Sequence, residues 1–295
     1  MRLVAILLLP LIGCSSPEPA PINRPEPRPV QPPETDEDSD PPEEEPAERP
    51  EDLDFPWHHV ISNMTLLGAP SSIASDVGID LTGDGVPNNA LGTPIGAIQP
   101  ALLFNNLIAQ NYQSQPVLAM LRVDGDPDAW PEVEVGTFTV IAADHDVGAN
   151  FSGSARFFAY EGLDEDGEPI AIADATVRRG GRYDGVLPPG DFTLGFFSIA
   201  TAMPSRIRGT LSESSHTGVL ATAVAPDVLS EVLLEDLFIP PGFVRDSITM
   251  LLDQVEPDVD TTGDGVPDAI SAAFAFTAVP AVLIDGDPED SPFIP

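Results

Sequence analysis

From Phe55 onward, apolar and polar residues alternate in short runs. Period-two runs rich in Val, Ile, Phe and Thr predict strands at 60–67, 117–123, 136–142, 154–160, 170–178, 191–199, 206–211, 218–224 and 274–284. Gly, Pro and Asp bound these runs. Arg179-Gly180-Gly181-Arg182 and Pro188-Pro189-Gly190-Asp191 read as tight turns, so 170–199 is expected to form a three-stranded meander. Three segments carry helical spacing instead. They are 94–110 (Ile95, Ile98, Leu102, Leu103, Leu107), 227–237 (Val228, Val232, Leu233) and 244–255 (Ile248, Leu251, Leu252, Val255). The expectation is one mainly β domain over 55–295, sandwich-like, with a few helical insertions.

The first 54 residues have a different pattern. Arg2 precedes an apolar run from Leu3 to Ile12, about the length of a signal-peptide core and too short to span a bilayer as a helix. The run ends in Leu11-Ile12-Gly13-Cys14. This succession resembles the signal and lipobox of bacterial lipoproteins. The resemblance implies cleavage after residue 13, acylation of the Cys14 thiol and a membrane anchor. Ser15, which is not Asp, implies an outer-membrane destination. Residues 14–54 are then a lipidated Cys and an acidic, proline-rich tether. Runs such as Thr35-Asp36-Glu37-Asp38 and Glu43-Glu44-Glu45 far outweigh Arg24, Arg28 and Arg49. So few apolar side chains cannot offset the entropy of ordering, so the tether is expected to be disordered and extended.

Charge narrows the function classes. The chain has 48 acidic residues against 12 basic ones, a formal net charge of -36, and every basic residue is Arg. Phosphate backbones need a cationic footprint, so nucleic acid is excluded as a partner. Cys14 is the only cysteine, so no intramolecular disulfide staples the loops.

An internal echo carries the main chemical candidate. Asp80-Leu81-Thr82-Gly83-Asp84-Gly85-Val86-Pro87-Asn88 and Asp260-Thr261-Thr262-Gly263-Asp264-Gly265-Val266-Pro267-Asp268 are each succeeded by a later Asp-Gly-Asp-Pro, at Asp124–Pro127 and Asp285–Pro288. Calcium takes six to eight oxygens, and a loop supplies them from alternate positions around a Gly turn. That assigns Asp80, Thr82, Asp84, the Val86 carbonyl and Asn88 to one site. The other takes Asp260, Thr262, Asp264, the Val266 carbonyl and Asp268. Asp76, Asp258 and the Asp-Gly-Asp-Pro loops are candidate further donors. The loops resemble those of dockerins and thrombospondin type 3 repeats. They differ from EF-hands in carrying Leu91 or Ser271 where a bidentate Glu belongs. The order of features, from Asp80–Gly92 through Arg206–Leu220 to Asp264–Ala269, is similar to a group of secreted bacterial lipoproteins with no assigned activity. That resemblance implies architecture, not a reaction; the expectation of a structural Ca2+ comes from the loops.

No catalytic motif is complete. There is no zinc-protease helix motif, nucleophile elbow, phosphate loop or dinucleotide fingerprint. His58 and His59 are expected on opposite faces of a strand. Ser212 and His216 lie at a hairpin tip. Three functions are expected in descending order. The first is an anchored envelope module, calcium-stabilised and non-catalytic, that binds an envelope protein or glycan. The second is a carbohydrate-binding surface module. The third is a metal-dependent hydrolase built on Asp144, His145 and Asp146.

Overall fold

The computed structural model describes residues 48, 55–67, 78–92, 115–144, 146–193, 198–201, 203–231, 246, 249–250 and 252–294. The expected signal peptide, nearly all of the tether, the helix at 94–110, Asp76 and His145 lie outside the described residues.

The strands are β1 (Trp57–Leu66), β2 (Val117–Asp124), β3 (Glu132–Ala142), β4 (Arg156–Glu161), β5 (Ala171–Thr176), β6 (Arg182–Leu187), β7 (Gly190–Thr193), β8 (Ser198–Thr201), β9 (Ser205–Ser212), β10 (Ser215–Val224), β11 (Ile270–Pro280) and β12 (Val282–Leu283). The protein is mainly β, as the alternation predicts. The layers are continuous: β1, β2, β3, β5, β6, β9, β10 and β11 pair antiparallel in chain order, and β11 returns to β1. The result is a closed, eight-stranded, up-and-down barrel.

Strand β3 is the fork that allows closure. Its first half pairs with β5, from Glu132 opposite Thr176 to Thr137 opposite Ala171. After Phe138 it pairs with β4 instead, with a register shift between Thr139 and Val140. Strand β4 therefore leaves the barrel wall, and β12 adds to it in parallel.

The expected meander at 170–199 is only partly realised. β5 and β6 pair, but β7 turns away to form a separate hairpin with β8, and β6 pairs with β9. Turn chemistry predicts that a chain reverses, not which strand it then joins. The expected helix at 227–237 is described as α1, Pro226–Glu231, with Leu229 buried. Of the expected helix at 244–255, Leu252 is described and buried.

Alternation decides what fills the barrel. Ile61, Met64, Leu121, Val135, Thr137, Leu187, Ile207, Leu220 and Phe276 point inward around a residual void of about 10 Å³. An eight-stranded barrel is just wide enough for side chains to fill, and this void does not reach the room a single ordered water needs. Large rings are matched by absent side chains. Gly209 and Gly218 oppose each other on β9 and β10. A Cβ on Gly209 would lie 2.9 Å from the Tyr183 ring; one on Gly218 would lie 2.7 Å from Phe276 and 2.5 Å from the Arg208 carbonyl. At the end where β1 begins, Phe55 packs on Trp57 and Trp130, with ring centroids 5.1 and 6.4 Å apart.

Overpacking a filled core costs about 1–3 kcal/mol. Gly218→Ala is expected to destabilise the barrel by about that amount, read as a lower urea midpoint, because the new methyl meets backbone on one side and the Phe276 ring on the other.

Candidate functional site: two acidic turns and an arginine-lined groove

The two acidic loops adopt the same conformation. Each is pinned by an isolated bridge, Ile79 with Asn88 and Val259 with Ala269. Gly83, Gly85, Gly263 and Gly265 all have positive φ, between 76° and 87°, which explains why Gly recurs there. Beneath them, Ile79 packs on Ala221 and Ala273, and Val259 on Ala223 and Ala269; Leu81 contacts both clusters. The repeat in sequence is thus a pair of neighbouring turns on the outer face of β10 and β11.

The carboxylates face their own backbone. Asp80 accepts from the N–H groups of Thr82 (3.1 Å), Gly83 (2.7 Å) and Gly85 (2.8 Å). Asp260 accepts from those of Thr262 (3.1 Å), Gly263 (2.7 Å) and Gly265 (2.6 Å). In both, the Gly N–H bond at the far end of the turn contributes most to holding the carboxyl below its ordinary pKa. Asp84 and Asp264 accept from Val86 and Val266 N–H. Asn88 accepts from Leu81 N–H, and Asp268 from the N–H and hydroxyl of Thr261.

Two of the further donors expected for calcium are elsewhere. Asp258 accepts from Ser271 N–H and Oγ at 2.8 and 2.6 Å. The first Asp-Gly-Asp-Pro comes after β2 beside Trp57, at the start of β1, whereas the loops pack near its end at Leu66. Among the described residues no three His, Cys, Asp or Glu side chains converge to hold a metal, and the trio Asp260, Asp264 and Asp268 is included in that. The carboxylates of Asp80 and Asp260 are engaged by the N–H groups of their own turns. The shared Asp-Gly-Asp-Pro has a simpler account: Asp126 and Asp287 cap the 3-10 turns Pro127–Ala129 and Pro288–Asp290 by accepting from Asp128 and Glu289 N–H.

Of the hydrolase candidates, Asp144 and Asp146 are among the described residues. Asp144 pairs with Arg156 at 2.7 Å, and Asp146 accepts from Gly148 N–H. Ser212 is exposed and bonds within its turn, while His216 points into the barrel, so the two do not act together. His58 and His59 do diverge as expected: His59 is fully buried and donates from Nε2 to the carbonyls of Ser212 (3.1 Å) and Glu213 (3.2 Å). His59 and His216 meet edge to face at 5.7 Å, and His216 Nε2 shares a 2.5 Å hydrogen bond with the Tyr183 hydroxyl. Burial and the neighbouring His59 push His216 down to about 3. Among the described residues, neither histidine Nδ1 has a hydrogen-bond partner.

The feature that alternation alone leaves unassembled is a groove on the barrel's outer face. It encloses about 850 Å³ above β6, β9, β10 and β11. Its floor is low because the outward residues are small: Thr210, Thr217, Val219 and Ala275. Arg178, Arg182, Arg206 and Arg208 line it, a third of the twelve cations in a chain of net charge -36. Asp184 bridges Arg206 and Arg208 at 2.9 and 3.0 Å, and Arg206 also donates to the Asp80 carbonyl at 3.0 Å. Partly exposed pairs of this kind add little stability; they fix guanidinium orientation. The pattern Arg206-Ile207-Arg208 was the available signal, since period two puts both arginines on one face.

No protein-family model, curated protein or solved structure matches this chain. Function therefore rests on geometry and chemistry.

The buried histidines make stability depend on pH. A histidine whose folded pKa lies below its unfolded value of 6.5 favours folding above 6.5 and loses that contribution as pH falls toward about 3. Urea midpoints are expected to decline from pH 7 to pH 4, and His216→Gln to flatten that decline. The turn carboxylates act lower, from about the ordinary 3.8 downward, so the histidine decline begins first as pH falls.

Proposed function

We propose that the chain is a lipid-anchored envelope lipoprotein that displays a rigid β-barrel as a binding and structural module. The observation that carries this is the succession within one chain of a lipobox ending at Cys14, an acidic proline-rich stretch with too few apolar residues for a core, and a sealed barrel whose first strand starts at Trp57. Acyl chains on Cys14 supply the anchor, and the acidic stretch is the spacer.

The barrel wall supports this reading over membrane insertion. A lipid-facing barrel is apolar outside and polar within. Here the inward positions are mostly apolar, with His59, Thr137 and His216 among the exceptions, and Glu134, Asp174, Arg182 and Arg208 face outward. β5 and β6 have six residues each, short of the nine to eleven a spanning strand needs.

Binding is favoured over catalysis by the groove's lining. It offers guanidinium groups, threonine hydroxyls and one carboxylate already committed to two arginines. Among the described residues it holds no histidine, serine, cysteine or free acid–base pair. Mutation of Cys14 to Ser is expected to abolish palmitate incorporation and to move the protein from the membrane pellet to the soluble fraction. Retention in the pellet without label would overturn the anchor.

Calcium at the acidic turns is a separate proposal. Asp260 keeps lone pairs for an ion beside its three backbone N–H bonds, whereas Asp268 would turn from Thr261 to reach it. On that proposal the melting temperature is expected to fall by several degrees in EDTA and to return in millimolar calcium. Coincident melting curves in EDTA and in calcium would overturn it, the turns then being closed by their own backbone N–H groups alone.

A further inference from the structure

We propose that the arginine-lined groove binds a carboxylate-bearing polysaccharide segment. This deepens the binding-module reading and is independent of the lipid anchor and of calcium.

Charge placement comes first. A surface so acidic repels anions at long range, so a concave site for an anion has to concentrate its cations. Four of twelve arginines meet here, with Asp184 as the only carboxylate in the lining among the described residues. Arg178 opposes Arg182 across an isolated bridge, Arg182 opposes Thr210, and Arg208 opposes Asp184 one step along. Arg206 and Arg208 lie two positions apart on one strand face, about 7 Å. The arginines thus form a short row, not a point.

Pre-ordering adds to placement. Arg206 and Arg208 share one carboxylate, which holds both guanidinium groups in place. Held guanidinium forks cost less side-chain entropy on binding. A planar fork matches a carboxylate in two parallel hydrogen bonds.

The floor selects among anions. Thr210 and Thr217 offer hydroxyls, while Val219 and Ala275 offer a small apolar patch, which suits the mixed faces of a sugar ring. Tyr183 and Phe276, the aromatic residues of the lining, are buried at 2 % and 4 % exposure, so neither ring is presented for base stacking. A densely charged polyphosphate gains four cations but meets the repulsion of the whole surface. A chain with one carboxylate per ring-sized unit meets far less.

The test uses full-length protein in detergent, run in native gels that contain polygalacturonate, neutral dextran or polyphosphate. Polygalacturonate is expected to retard the wild type, less so as salt rises. The pair Arg182→Gln with Arg208→Gln is expected to weaken binding about tenfold or more. Thr217→Trp, which fills the floor without touching an ion pair, is expected to weaken it too. Arg156→Gln, whose partner is Asp144, is the control and should bind as wild type. Unfolding melts verify that each variant is native. Unaltered mobility in polygalacturonate, equal retardation of wild type and both groove variants, or retardation by polyphosphate alone overturns the proposal. Retardation by dextran alone also overturns it while leaving the barrel a binding module, so the two failures are distinguishable.

Discussion

The pairing of β11 with β1 is the constraint on which the rest depends. It closes a meander that would otherwise expose two edges, and it forces every second residue of eight strands into one narrow interior. The interior must then be filled to native density by whatever those positions carry. Tyr183 and Phe276 fit because Gly209 and Gly218 sit opposite, and Ala171, Ala173 and Ala175 are the buried positions of β5. Where Ile61, Leu121, Ile207 and Phe276 meet, about 10 Å³ is left over, too little for a ligand. Any ligand has to meet its outside.

Closure also explains the polar residues inside. His59, Tyr183 and His216 occupy inward positions at the end capped by the β9–β10 hairpin. Hydrogen bonds to the hairpin carbonyls and between Tyr183 and His216 offset part of the burial cost, and the unpaired Nδ1 atoms leave part of it standing. That remaining cost is higher for charged imidazole than for neutral imidazole, which is why both histidines are held below their ordinary pKa. Outside the wall the same strands carry the groove, so the filling of the core and the orientation of the arginines come from one alternation.

The acidic turns illustrate how a chain of net charge -36 keeps carboxylates close together. Asp80 and Asp260 each take three backbone N–H groups into a turn that Gly makes possible, and their repulsion is answered by peptide dipoles. Loops with alternating oxygens are equally the raw material of a calcium site. Which of the two a sequence makes depends on whether a third and fourth donor arrive from elsewhere in the fold. Here Asp258 is held by Ser271, and the first Asp-Gly-Asp-Pro lies at the far end of β1.

Local alternation determined nearly everything that local physics controls. It placed the strands around Val60, Val117, Val140, Phe157, Ala173, Ile207, Leu220 and Phe274, and it sent His58 and His59 to opposite sides. It also marked the Gly positions of the acidic turns, since only a left-handed backbone there asks for Gly. Partnership was decided elsewhere. That β6 joins β9 across the β7–β8 hairpin, that β3 divides between β4 and β5, and that β11 closes on β1 are outcomes of filling one interior. The groove belongs to the same class: Arg178, Arg182, Arg206 and Arg208 come from separate strands and turns, and only the register between β6 and β9 makes them neighbours. A period of two fixes which face a side chain takes; which strand lies beside it is set by long-range packing, and that is written in no single stretch of the chain.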